Sequence, residues 1–241
     1  MLLARRNLLI ASVPVLLTPT QALQAQEPTK AFDPIAEWGF SPPVPAATGP
    51  GVAPTGTKPP QHGEIAKAFR LLYMAPRNKT PVQIARYFER LKDKNGDNQP
   101  YNYEWPKDGR ANPLIVGFFS ATFTTPNAGD QTAWCAAFVN FCLMAAGKPT
   151  TGSAQSGSFR NNANYPSTEK PKMGDIVVFR KTGPEGDKGF GHVGLYLSET
   201  ATEVTVLGGN QVGNTGSTGA VTVSKYAFKS ASLELHSYRT V

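Results

Sequence analysis

Thr132-Ala133-Trp134-Cys135-Ala136-Ala137-Phe138-Val139-Asn140-Phe141-Cys142-Leu143-Met144-Ala145-Ala146-Gly147 decides the fold. From Ala133 to Ala146 only Asn140 is clearly polar, and no proline interrupts the run. A stretch apolar on every side is a helix buried all round. It is too short for a bilayer, which takes about 20 apolar residues. Thr132 is the expected N-cap, with Asp130 just before it to favour the positive helix end, and Gly147 is the expected stop. Cys135 then falls in the first turn. Unpaired N–H groups and the macrodipole favour a thiolate there, with a pKa that can fall to about 3.5–7.5. The alternative reading of Cys135 is a small core hydrophobe.

The flanking segments follow from the same patterns. Ile65, Phe69 and Leu72 recur at helical spacing, and Thr80-Pro81 caps a helix carrying Ile84, Phe88 and Leu91. Asn112-Pro113 opens another through Phe119. Tyr101, Tyr103 and Trp105 sit in an irregular stretch expected to be pinned by its aromatics. After Gly147, strands are expected at 175–180, 192–198, 203–207, 220–224 and 233–238. Helices first and strands afterwards imply an α+β fold, a central Cys-bearing helix packed on a roughly five-stranded antiparallel sheet.

Ahead of this lie two segments of different character. Residues 1–25 read as a signal peptide, with Arg5-Arg6 before the short apolar core Leu8 to Leu17 and a cut near Ala22 or Ala25. Arg5-Arg6 also fits a twin-arginine signal, beside ordinary export. Residues 26–62 have the Pro/Gly-rich composition of a linker. The organisation is then signal 1–25, linker 26–62, helical accessory segment 63–109 and a main domain 110–241, in a protein expected to be periplasmic or secreted. No integral membrane segment is expected in the mature chain.

The net charge is +7. Residues 1–25 hold two arginines and no acid, so the remainder keeps 22 basic against 17 acidic side chains, or +5. That suits an anionic partner, but no Lys/Arg run or basic-aromatic stripe points to nucleic acid. Cys135 and Cys142, seven residues apart on one helix, have Cα atoms about 10 Å apart, too far for a disulfide.

A cysteine nucleophile needs a base and a group to orient it. Of three histidines, His192 opens a strand after a Gly-rich loop, with Gly191 and Gly194 leaving room beside the imidazole. His236 lies among bulky neighbours. Asn210, in Leu207-Gly208-Gly209-Asn210-Gln211, is the candidate third residue if the neighbouring strand ends there. Taken alone, Gly-Gly-Asn is also good turn chemistry. Three scattered histidines form no metal-ligand cluster, and no cofactor is implied.

At this point the chain resembles the NlpC-type and CHAP superfamily of papain-like cell-wall hydrolases, in the branch with a Trp-Cys-Ala-Ala-Phe-Val-Asn helix. The resemblance is carried in order by Asn112-Pro113, Asp130, Trp134 to Cys142, Gly152-Ser153-Ala154, Gly174 to Phe179, Gly191-His192-Val193-Gly194, Leu207 to Gln211 and Tyr238-Arg239, over roughly 110–241. It implies a papain-like core, peptidoglycan as substrate, and a Cys nucleophile, His base and polar third residue at Cys135, His192 and Asn210. Many NlpC-type members carry a His where this chain has Asn210. The implied function is an exported cysteine peptidase or amidase cutting stem-peptide or sugar–peptide amides through a thioester. Rival readings are an antibacterial toxin amidase and a non-catalytic wall-binding module on the same fold.

Overall fold

A computed structural model of the chain describes residues 58–212 and 219–241. The segment read as a signal peptide and most of that read as a linker lie outside the described residues. Lys58, at the linker's end, is held against the segment before the third helix: its N–H donates to Gly109 O at 2.9 Å, and its carbonyl accepts from Ala111. All described residues belong to one compact unit.

Helix α1 spans His62–Tyr73, α2 Pro81–Glu89, α3 Pro113–Phe118 and α4 Cys135–Ala145. The starts follow local chemistry. Gln83 Oε1 accepts the Thr80 N–H at 3.0 Å, closing α2 behind Pro81. Asn112 Oδ1 accepts the Leu114 N–H at 2.9 Å and caps α3. In α1, Ile65, Ala68, Leu71 and Leu72 are buried, whereas Phe69 is 39% exposed.

Helix α4 is buried along its length except at Met144. Gly147 ends it in the left-handed region at φ 71°. The Lys148 N–H donates to Leu143 O and the Gly147 N–H to Met144 O, the two bonds of a Schellman motif. The start differs from expectation. Trp134 is the N-cap, and Thr132 instead closes a 3-10 turn over Gly129–Gln131. Asp130 does not face the helix: its Oδ2 accepts the N–H groups of Trp105 at 2.8 Å and Asn112 at 3.0 Å. The backbone of 105–112 captures this carboxylate, because several unpaired N–H groups there need an acceptor.

Phe118 lies edge-on to Phe88 and Phe138, with centroids 5.1 Å apart in each pair, and stacks on Trp134. Helices α1 and α2 therefore share one core with α4 and the sheet. Tyr101 and Trp105 are buried in that core too.

The sheet is antiparallel, with strands β1 (Ser167–Thr168), β2 (Ile176–Lys181), β3 (Gly191–Glu199), β4 (Glu203–Gln211), β5 (Ala220–Ala227) and β6 (Leu233–Arg239). Their order is β1-β6-β2-β3-β4-β5. The five expected strands are present, and β1 adds a two-residue edge. Helix α4 packs on the face carrying Ile176, Val178, Val193, Leu195 and Leu207. Val177, Phe179, Val204 and Val206 form a smaller cluster on the opposite face. The fold is α+β and compatible with a papain-like core.

Asn140, the polar residue inside α4, is fully buried and spends its whole amide on the loop beyond the helix. Its Nδ2 donates to Ser153 O at 2.9 Å and Thr151 Oγ1 at 3.0 Å, and its Oδ1 accepts the Thr151 N–H at 2.7 Å. At about 1 kcal/mol net per bond, plus a stranded N–H, Asn140→Ala should cost about 2–4 kcal/mol. Thermal unfolding should show a Tm lower by about 5–10 °C. An unchanged Tm would show that the amide is not the staple described.

Candidate active site

Cys135 opens α4 and is 6% exposed; His192 opens β3 and is 7% exposed. The chain brings them together through the backbone. The backbone N–H of Val193, the residue after His192, lies close enough to the Cys135 sulfur to favour its ionised form, as do the N–H groups of Ala136 and of Cys135 at the helix start. Gly209 makes the close approach of helix and sheet possible. A Cβ there would lie 2.3 Å from the Trp134 ring and 2.8 Å from Phe138 Cβ. Glycine lets Trp134 sit flat on β4, which brings the α4 N-terminus to the sheet.

The imidazole of His192 packs beside Phe179 and Tyr226, with ring centroids 6.4 Å and 5.1 Å away. Burial and, after it, the charge of an ionised Cys135 oppose ionisation of the Tyr226 phenol. The space expected beside His192 is filled by the sheet: Gly191 lies against Phe179 O and Gly194 against Val206.

The third group is not the one read from the sequence. His192 Nε2 lies 3.0 Å from Gln211 Oε1, both side chains buried. Gln211 Nε2 donates to the carbonyls of Thr222 and Val206. With its NH₂ spent on two carbonyls, the amide can offer the ring only an acceptor, so His192 Nε2 carries the hydrogen and Nδ1 the lone pair. Asn210 turns elsewhere. With its amide oriented to satisfy both neighbours, it donates to Glu104 Oε1 at 3.1 Å and accepts the Trp134 N–H at 3.3 Å.

The reason is a bulge. Leu195 pairs with Leu207, and continuing that register sets Asn210 opposite His192. But β4 and β5 pair as far as Gly208 with Thr222 and resume at Gln211 with Ala220, three steps on one strand against two on the other. Asn210 occupies the left-handed region at φ 55°, which Asn tolerates better than most residues. The extra residue reverses the alternation and delivers Gln211 to the face where Asn210 was expected. The strand also runs on to Gln211 instead of ending before the glycines.

Burial sets the charge state. It pushes the Cys135 thiol up to about 11, against the pull of the three N–H groups. It pushes His192 down to about 4, against the Gln211 bond. The resting pair is a neutral thiol and neutral imidazole, not the thiolate expected from the helix terminus alone, because desolvation outweighs the helix field. Cys142 is fully buried, with its thiol raised well above the usual range; both cysteines are free. His236 is exposed on β6, bonded to Ser237 Oγ. An open depression lined by Gln83, Arg86, Tyr87, Arg90 and Lys92 includes none of the site residues.

Sequence reading passed over three residues. Gln211 carried a signal, being next to the residue chosen and one register step away. Tyr226 and Glu104 carried none, since only the fold brings them near. Comparison with known proteins adds the family. A family model for the CHAP domain matches residues 127–210. No curated protein and no solved structure gives a significant match. CHAP domains are generally cysteine- and histidine-dependent peptidoglycan hydrolases. Cys135 and His192 both fall within the matched stretch, and the match is consistent with the NlpC-type and CHAP superfamily.

Proposed function

We propose that this protein is an exported cysteine hydrolase that cuts amide bonds in peptidoglycan, with Cys135 as nucleophile, His192 as base and Gln211 as the group that orients the imidazole. The observation that carries the reading is the His192 Nε2–Gln211 Oε1 bond at 3.0 Å, which leaves Nδ1 as the basic nitrogen of the ring, one residue before the Val193 N–H that faces the Cys135 sulfur. Export rests on Arg5-Arg6 and the apolar run after them, and places the enzyme in the periplasm or outside the cell.

In this reading Nδ1 takes the thiol proton as sulfur attacks the amide carbonyl. The transfer makes two opposite charges side by side, whose attraction offsets part of the cost of burying each. The Cys135 N–H, at the helix start, donates to the developing oxyanion. The imidazolium gives its proton to the leaving amine, a thioester remains on Cys135, and the ring then activates water to release it. Tyr226 walls the imidazole on one side.

Digestion of purified peptidoglycan, with products identified by mass, tests the reading and names the bond. Cys135→Ala and His192→Ala should each abolish product release, because nucleophile and base act as a unit. Gln211→Ala should leave a residual rate on the order of 1–10%, the usual cost of losing an orienting partner. His236→Ala should stay near wild type. A dead His236→Ala beside an active His192→Ala would mean another base.

The charge state gives a separate test. Iodoacetamide reacts with thiolate, so Cys135 alkylation should climb about tenfold per pH unit from pH 7 toward 10. Hydrolysis should fall away on the acid side as His192 becomes protonated near pH 4. An alkylation rate already flat at pH 6–8 would indicate a preformed thiolate–imidazolium pair instead.

A further inference from the structure

We infer that Glu104, outside the matched CHAP stretch, is a positioning residue that locks the nucleophile's helix to the strand end that orients His192; this rests on the hydrolase reading above. Glu104 Oε1 accepts the Trp134 indole N–H at 2.8 Å. The same oxygen accepts the Asn210 amide at 3.1 Å, and Asn210 in turn accepts the Trp134 backbone N–H at 3.3 Å. Trp134 is the residue before Cys135, and Asn210 is the residue before Gln211. One carboxylate oxygen therefore spans the two places from which the nucleophile and the orienting amide are hung.

The carboxylate is itself held. The Glu104 N–H donates to Gly219 O at 2.7 Å, and Tyr103 bridges to Ala220, so residues 102–104 run beside the start of β5. Gly219 sits at φ 73°, and a Cβ there would come 1.8 Å from the carboxyl carbon of Glu104. Only glycine permits that approach, so the side chain is packed against backbone and has little freedom to swing. Trp134 is fully buried, so its indole N–H would be left without an acceptor if Glu104 were truncated. Burial raises the Glu104 pKa, and the Trp134 bond opposes this.

A clamp of this kind acts on geometry and not on substrate affinity. Removing it should free Trp134, admit water to Cys135 and relieve the desolvation that holds the thiol up. Glu104→Gln keeps an acceptor for both donors and should restore most of the function. The experiment compares wild type, Glu104→Ala and Glu104→Gln by turnover of soluble muropeptides, by the pH profile of Cys135 alkylation with iodoacetamide, and by Tm. Glu104→Ala should lower kcat about 10–100-fold with KM changed by less than about threefold. Its alkylation profile should move to lower pH by about one unit or more, toward the ordinary thiol value of about 8.5. Glu104→Gln should track wild type in both.

The inference is overturned if Glu104→Ala matches wild type in profile and turnover, if only KM moves, or if Glu104→Gln is as impaired as Glu104→Ala. Should Glu104→Ala not fold, Trp134→Phe, which removes the indole donor together with part of the ring's volume, must show the same downward shift in profile, and an unshifted profile rejects the clamp. If wild type releases nothing from peptidoglycan or muropeptides, the hydrolase reading fails. The alkylation comparison then still judges the clamp by itself.

Discussion

The site depends on one buried hydrogen bond, from His192 Nε2 to the amide oxygen of Gln211. Both groups are polar and almost closed to water, so each must find a partner inside the protein. Gln211 can serve because Thr222 and Val206 offer carbonyls to its NH₂, and this fixes which end of the amide meets the ring. That arrangement requires the bulge at Asn210, and the bulge requires a residue that accepts a left-handed backbone. Gly209 beside it admits Trp134, which places Cys135 at the Val193 amide. Orientation of His192 and placement of Cys135 thus come from one five-residue strand end, Leu207 to Gln211.

Much of this was legible in the sequence because it is local. The apolar run of α4, the Gly147 stop, the Thr80-Pro81 and Asn112-Pro113 starts and the alternating strands are set by near neighbours. The places of Cys135 at a helix start and His192 at a strand start were legible for the same reason. What was not legible depends on partners distant in the chain. Asp130 serves the backbone of 105–112, a demand visible only once that loop is folded. The partner of His192 lies a single position beyond the residue expected, since alternation counted through Asn210 assumes a regular ladder and one left-handed residue reverses it. The thiol's charge state followed burial and not the helix terminus, and burial is a property of the whole fold.

The matched CHAP stretch does not contain all that the site uses. Gln211 lies one residue beyond it, Tyr226 on the following strand, and Glu104 well before it. The helical segment at 63–109, read as an accessory, packs Phe88 against Phe118 and Phe138 and carries the carboxylate that meets Trp134. The segment therefore belongs to the core and also borders the candidate site.

The most direct test is the protonation of one ring. NMR of protein labelled with ¹⁵N in histidine, with His192 assigned by comparison with His192→Ala, reports which nitrogen carries hydrogen. At pH 7 the expected result is a neutral ring protonated on Nε2, with Nδ1 bare. A ring protonated on Nδ1, or an imidazolium at that pH, would contradict the assignment of Gln211 as its partner and of a neutral thiol as the resting nucleophile.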